Sequence, residues 1–192
     1  MKTTTLFVAA PFLVAGWASL LTPSPHLIAP ESRMWIDGTS NVHDWTCEVG
    51  TVEGFVETDE SWGLVAAEIW VPISEIECKN GKMNKKLQDA LKAEDHPVIS
   101  FILDSTGVAE GSTLVDIELI TSGRLTLAGV TNAIGMTVLA TPLPDGGYRL
   151  TGELPILMKD YDVKPPKALM GLIKTGKEVT VRFEIVVTRP QT

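Results

Sequence analysis

The chain predicts an all-β fold, an antiparallel barrel of about eight strands with one short α-helix. Three observations carry that expectation. From Ser32 onward apolar residues recur with period two, the period of half-buried strands. Turn signals separate the runs at Asp59-Glu60-Ser61, at Gly107 to Gly111, and at Pro142 to Gly147, as a hairpin meander requires. Only one segment changes to helical spacing. A sheet with one apolar face throughout must hide that face, by packing on a second sheet or by closing on itself, and closure also removes exposed edges.

The first segment stands apart from the fold. A basic start at Lys2 precedes an apolar run from Leu6 to Leu21, and Gly16-Trp17-Ala18 places small residues where a signal peptidase reads. Residues 1–18 therefore predict a cleaved signal peptide, with Ala29 before Pro30 as a later alternative cut. An uncleaved anchor fits less well, because Pro11 and Gly16 interrupt a run shorter than the ~20 apolar residues of a spanning helix. No cysteine follows the run, so the lipid attachment of bacterial lipoproteins has no acceptor. Residues 19–31 read as a flexible lead-in and 32–190 as a single domain. Cleavage after Ala18 leaves 174 residues, enough for a real core.

Short strands are expected at Met34–Asp37, Asn41–Val49, Val52–Thr58 and Leu64–Val71. Lys82–Lys92 then reads as a helix, since Met83, Leu87, Ala90 and Leu91 recur at three- and four-residue spacing, and His96-Pro97 ends it. A strand follows at Val98–Asp104. The clearest alternation runs from Leu114 to Gly129: Val115, Ile117, Leu119, Leu125 and Leu127 share one face, while Asp116, Glu118, Ser122, Arg124 and Thr126 share the other. Gly123 marks a bend within one strand, or the division between two. Ala133–Thr141 comes next, then Tyr148, Leu150, Leu154, Ile156 and Met158 on one face, and finally Val179, Val181, Phe183, Ile185 and Val187. Between the last two strands the apolar stretch Ala168, Leu169, Met170, Leu172 and Ile173 must cover something, as a fixed plug or as a lid.

The formal net charge of −8 becomes −9 when Lys2 leaves with the leader, and no basic run is present. Nucleic acid is thus not an expected partner. An outer-membrane barrel is also excluded, because the outward faces carry Arg, Glu and Asp where lipid demands apolar residues. Cys47 and Cys78 are an even pair in an exported chain and predict a disulfide, with two buried thiols as the alternative.

No catalytic constellation is legible: HExxH, GxSxG, CxxC and phosphate-cradling glycine loops are all missing, and no cofactor motif occurs. His26 falls in the lead-in, His43 in a strand and His96 before a proline, a poor basis for a metal site. Asp160 and Asp162 form a polar cluster that reads as a solvated loop more readily than as an acid–base pair. Trp35, Trp45, Trp62, Trp70, Phe55, Phe101 and Phe183 are spread over many strands. Pointing inward they would line either a filled core or a slot for a chain-like ligand.

Several of these features occur together in the YceI family of exported lipid-binding-like proteins, which the chain resembles over nearly its whole mature length. The matching stretches are Thr39-Ser40-Asn41-Val42-His43-Asp44-Trp45, His96-Pro97-Val98-Ile99-Ser100-Phe101 and, most specifically, Gly123-Arg124-Leu125-Thr126-Leu127-Ala128-Gly129-Val130-Thr131. Lys159-Asp160-Tyr161-Asp162-Val163 sits where the family carries a related loop, but without its aromatic-glycine pair. The resemblance implies an extended, lipocalin-like barrel holding an isoprenoid or fatty-acyl chain, with the helix beside it.

The expected function is therefore a periplasmic or secreted binding protein for a polyisoprenoid, quinone-like or fatty-acyl ligand, without stable membrane insertion. The lumen candidates are Trp45, Ile117, Leu119, Leu125, Leu127, Leu150, Leu154, Ile156, Met170, Val181, Phe183 and Ile185. The sequence leaves room for a homodimer. Two rival readings stand beside this one: an envelope-stress or interaction protein with a filled barrel, and a hydrolase or isomerase using His43.

Overall fold

A computed structural model describes residues 24–58, 64–113, 115–168 and 172–188. Twelve strands form: β1 (Ser24–Ile28), β2 (Arg33–Ser40), β3 (Trp45–Val49), β4 (Glu53–Thr58), β5 (Leu64–Pro72), β6 (Ile76–Glu77), β7 (Val98–Val108), β8 (Ile117–Leu127), β9 (Val130–Pro142), β10 (Tyr148–Leu157), β11 (Lys167–Ala168) and β12 (Ile173–Thr188). The helix α1 (Gly81–Ala90) follows β6, and tight 3-10 turns occupy Ile73–Glu75 and Met158–Tyr161.

All pairings are antiparallel, and eight strands close a ring in the order β1, β4, β5, β7, β8, β9, β10, β12 and back to β1. The seam is shared. β12 pairs β2 from Thr175 to Glu184, then passes to β1 at Val187 and Thr188. Between them Ala29 donates its N–H to Val186, and Ser32 Oγ exchanges hydrogen bonds with the same residue's backbone. β3 and β6 continue the sheet beyond β2, off the closed ring.

The period-two reading holds best in β8, where Ile117, Leu119, Thr121, Gly123, Leu125 and Leu127 are buried and the residues between them are exposed or half-buried. β8 turns into β9 through only Ala128 and Gly129. Both have positive φ, 50° and 83°, the geometry of a two-residue hairpin whose twist matches its strands. The helix starts at an N-cap, Asn80, whose side chain accepts from the Lys82 N–H. Cys47 and Cys78 are joined in a disulfide that ties β3 to the segment entering α1.

Four expectations need correction. The lead-in is not loose from Ser24 on: β1 is a wall strand, and His26 is fully buried against Tyr148 with ring centroids 5.7 Å apart. Val115 does not point inward. It lies before β8 in the turn region and is 66% exposed, because the alternation continues past the end of the strand. His43 sits in the connection between β2 and β3 rather than in a strand. Of the two alternatives at Gly123 the single strand holds, but the irregularity beside it lies on the partner: the extra residue belongs to β7, where the register shifts between Leu103 and Ser105.

Candidate ligand-binding site

Buried side chains form two layers along the barrel. At the end away from the helix, Val56, Leu64, Ala67, Ile117, Leu119, Val138, Ala140, Tyr148, Leu150, Ile185 and Val187 pack together. At the helix end Cys47, Val71, Ile73, Ile76, Leu91, Leu125, Leu127, Ile156, Met158, Tyr161 and Val163 form the second layer. A cavity of about 190 Å³ lies among them. That exceeds the ~150 Å³ at which an apolar void stays dry and admits benzene.

The wall of the cavity is apolar on every side. β12 contributes Val179, Val181, Phe183 and Ile185, β10 contributes Leu150, Leu154 and Ile156, and β8 contributes Thr121, Leu125 and Leu127. Among the described lining residues the one hydroxyl, on Thr121, donates to the Met136 carbonyl at 2.8 Å. Leu87, Ala90 and Leu91 of the helix region, with Met158, Val163 and Pro166, form the wall at the helix end.

Three aromatic rings lie against glycines that give them room. Trp45 stacks over Gly38, its cross-strand partner, and its indole N–H donates to the Thr39 carbonyl at 3.1 Å. Phe183 faces Gly152, again its direct partner, and Phe101 lies on Gly123, where a Cβ would stand 2.5 Å from the ring. Each pairing presses a large flat surface against the sheet and leaves the centre open.

Of the lumen candidates, Trp45, Leu125, Leu127, Leu150, Leu154, Ile156, Val181, Phe183 and Ile185 all line this cavity. Ile117 and Leu119 point inward but lie in the packed layer at the far end, where Tyr148 and Val187 fill the space beside them. Met170 lies outside the described residues. Sequence reasoning missed Met34, Ile36, Ile69, Val71, Ile134 and Met136 as wall residues. Their strands were legible, but the level of each residue along the barrel depends on register.

Polar candidates are placed away from the lumen. His43 is exposed, its Nδ1 2.8 Å from the Asp44 backbone oxygen, while Ser40 Oγ donates to the His43 carbonyl at 2.7 Å. His96 packs its ring on Gly129 at the hairpin tip. Asp160 lies in the 3-10 turn, where its carbonyl accepts from Asn132, and Asp162 ends that turn with a left-handed φ of 53°. Burial raises the Tyr161 phenol above its ordinary range. Among the described residues no group of three or more His, Cys, Asp or Glu could hold a metal ion.

A closed antiparallel barrel around an apolar cavity, with a helix at one end and no charged side chain among the described residues of the wall, defines a lipocalin-like binding barrel. A family model described as the YceI-like domain matches residues 31–187. The chain belongs to the YceI family. Among solved structures it is similar to BcnA of Burkholderia cenocepacia, with a TM-score of 0.69 and 16% identity, covering 82% of this chain and 96% of that one. A polyisoprenoid binding domain from Saccharophagus degradans, implicated in plant cell wall breakdown, matches with a TM-score of 0.69 at 16% identity. That match covers 88% of this chain and 100% of the other. The YCEI protein of Campylobacter jejuni gives 0.61 at 16% identity over 76% and 85% of the two chains. No protein of curated function matches the chain by sequence.

Proposed function

We propose that this chain is a periplasmic binding protein that holds a long apolar ligand, a polyisoprenoid, quinone-like or fatty-acyl chain, in its barrel without catalysing a reaction. The observation that carries the reading is the wall: a cavity of about 190 Å³ with no charged side chain among the described residues that line it. An apolar occupant of that volume would be taken out of water against apolar walls, which is favourable. Each buried methylene contributes about 0.8 kcal/mol. Affinity would therefore grow with tail length, while the described lining residues offer no charged partner for a head group.

The name of the Saccharophagus relative favours an isoprenoid among these ligands. The leader-like residues 1–18 and the disulfide favour export, since a cysteine pair persists in an oxidising compartment. The void tells against a barrel filled to both ends, and His43 is exposed with its Nδ1 on a backbone oxygen, which gives a hydrolase reading no support. Mass spectrometry of an organic extract of the purified protein tests the proposal. An isoprenoid or acyl chain in stoichiometric amount is the expected result. A protein that carries nothing, and that fails to take up a fluorescent polyene lipid after extraction, would overturn it.

A further inference from the structure

We infer that Gly38, Gly123 and Gly152 set the width of the lumen and thereby let a methyl-branched chain enter as well as a linear one. The inference rests on the proposed function above and names the residues that select within it.

Each of the three glycines stands inside a strand, Gly38 in β2, Gly123 in β8 and Gly152 in β10. Glycine in a strand interior is destabilising, because it has no side chain to pack and loses more conformational freedom on folding than any other residue. None of the three has a positive φ, so the backbone does not call for glycine at any of them. What the positions exclude is a Cβ. At Gly152 it would stand 2.6 Å from the Phe183 ring, and at Gly123 2.5 Å from both the Phe101 ring and the Ile102 carbonyl oxygen. At Gly38 the three nearest atoms all belong to the Trp45 ring, and a Cβ would overlap it.

All three rings line the cavity. Trp45 and Phe183 are the cross-strand partners of Gly38 and Gly152, while Phe101 reaches Gly123 from β7. In the closed ring of eight strands β7 and β12 lie four places apart in either direction, so Phe101 and Phe183 come from opposite walls. Each is laid back on a neighbouring strand, and the space left between them belongs to the lumen. A methyl group at Gly38 or Gly152 would lift its ring off the sheet, and the inner face offers that ring only the lumen to move into. The bore would then shrink by about the bulk that a branched chain carries at each branch, whereas an unbranched chain would lose less. In an apolar pocket one methylene of misfit is worth about 10–200-fold in discrimination. An aromatic ring on a cross-strand glycine also steadies a sheet, and in that role alone the glycines would affect stability and leave the choice of chain untouched.

Calorimetric titration of the purified protein, freed of lipid, with palmitic and phytanic acid tests the inference, since the two acids share a carboxyl group and a main chain and differ only in methyl branches. The parent should bind phytanic acid at least as tightly as palmitic acid, because the branches add buried apolar area. Gly38→Ala and Gly152→Ala should each weaken phytanic acid about tenfold or more, and palmitic acid by less than about threefold. Gly38→Ala/Trp45→Leu and Gly152→Ala/Phe183→Leu should return phytanic acid to within about threefold of the parent, because the smaller side chain restores the room. Gly135→Ala on β9, where a Cβ meets nothing closer than 3.6 Å, should change neither affinity. Should an alanine variant fail to fold, Trp45→Leu or Phe183→Leu alone reads the bore in the opposite direction and should shift the preference further toward phytanic acid; an unmoved preference counts against the inference. Equal losses of both acids, no loss of either, no rescue by the double variants, or a parent that takes palmitic acid alone would overturn the inference and leave the proposed function standing. A parent that binds neither acid removes both.

Discussion

Filling the void should stabilise this protein, and filling its packed end should not. Ala67 on β5 and Ala140 on β9 both belong to the far-end layer, but Ala67 borders the cavity and Ala140 does not. Both are nearly inaccessible, at 6% and 4% exposure, so the same change to leucine differs only in what it meets. At Ala67 three added carbons enter empty space and contribute up to about 2.4 kcal/mol at ~0.8 kcal/mol per methylene. At Ala140 they meet Ile117, which pairs with Ala140 on β8, and overpacking costs about 1–3 kcal/mol. For a domain of this size each kcal/mol moves the melting temperature by roughly 2–4 °C, so the two variants should separate by about 7 °C or more. The assay is thermal and urea unfolding of protein freed of lipid by organic extraction, followed by tryptophan fluorescence. Ala67→Leu should also weaken uptake of a polyene lipid, and Ala140→Leu should not. Equal destabilisation by the two substitutions would mean that the lumen is filled in solution, and the argument from the cavity would fall with it.

Three further outcomes follow from the geometry. Replacing both Cys47 and Cys78 with serine frees a loop spanning 31 residues and should cost about 3–4 kcal/mol in urea unfolding, with no effect on the parent chain's other contacts. Gly129→Ala should destabilise by about 1–3 kcal/mol, because the residue needs φ of +83° and the new methyl meets the His96 ring; a neutral result in thermal melting would refute the hairpin geometry. The Arg182 guanidinium beside Asp37 holds that carboxyl below its ordinary range, so the stability it contributes is present above the unfolded value near 3.8 and is lost as pH falls through the lower folded value. Asp37→Asn should thus cost less than about 1 kcal/mol at pH 7, since the pair is 47% and 31% exposed, and the gap to the parent should close in acid.

Local pattern reached most of the wall. Alternation in β8, β10 and β12 placed Leu125, Leu127, Leu150, Leu154, Ile156, Val181, Phe183 and Ile185 on the inner face, because a strand half-buried on one side writes its period directly into the residues. What escaped depends on partners distant in the chain. β1 is only five residues long, Ser24–Ile28, too short for a period, and it is a strand because β4 and β12 flank it. Ile117 and Leu119 share the face of Leu125, but their layer is full because Tyr148 and Val187 arrive from other strands. The offset beside Gly123 sits on β7, since a bulge is a property of a pair and no single strand announces it. The aromatic rings over Gly38, Gly123 and Gly152 form a pattern that could have been found by asking which glycines face aromatic partners once hairpins were assigned.

The shared seam at β12 also governs when a cavity can exist. That strand closes the wall against β10, β2 and β1 together, joining Val186 to Ser32 across 154 residues of chain. Contacts of such separation form late in folding, because the chain must first pay the entropy of bringing its ends together. A chain still being made has no lumen, only a curled sheet with its apolar face and two raw edges exposed. Cargo consequently meets a finished vessel, and truncation before residue 173 leaves β10 and β2 unpaired along their full facing edges rather than producing a smaller container.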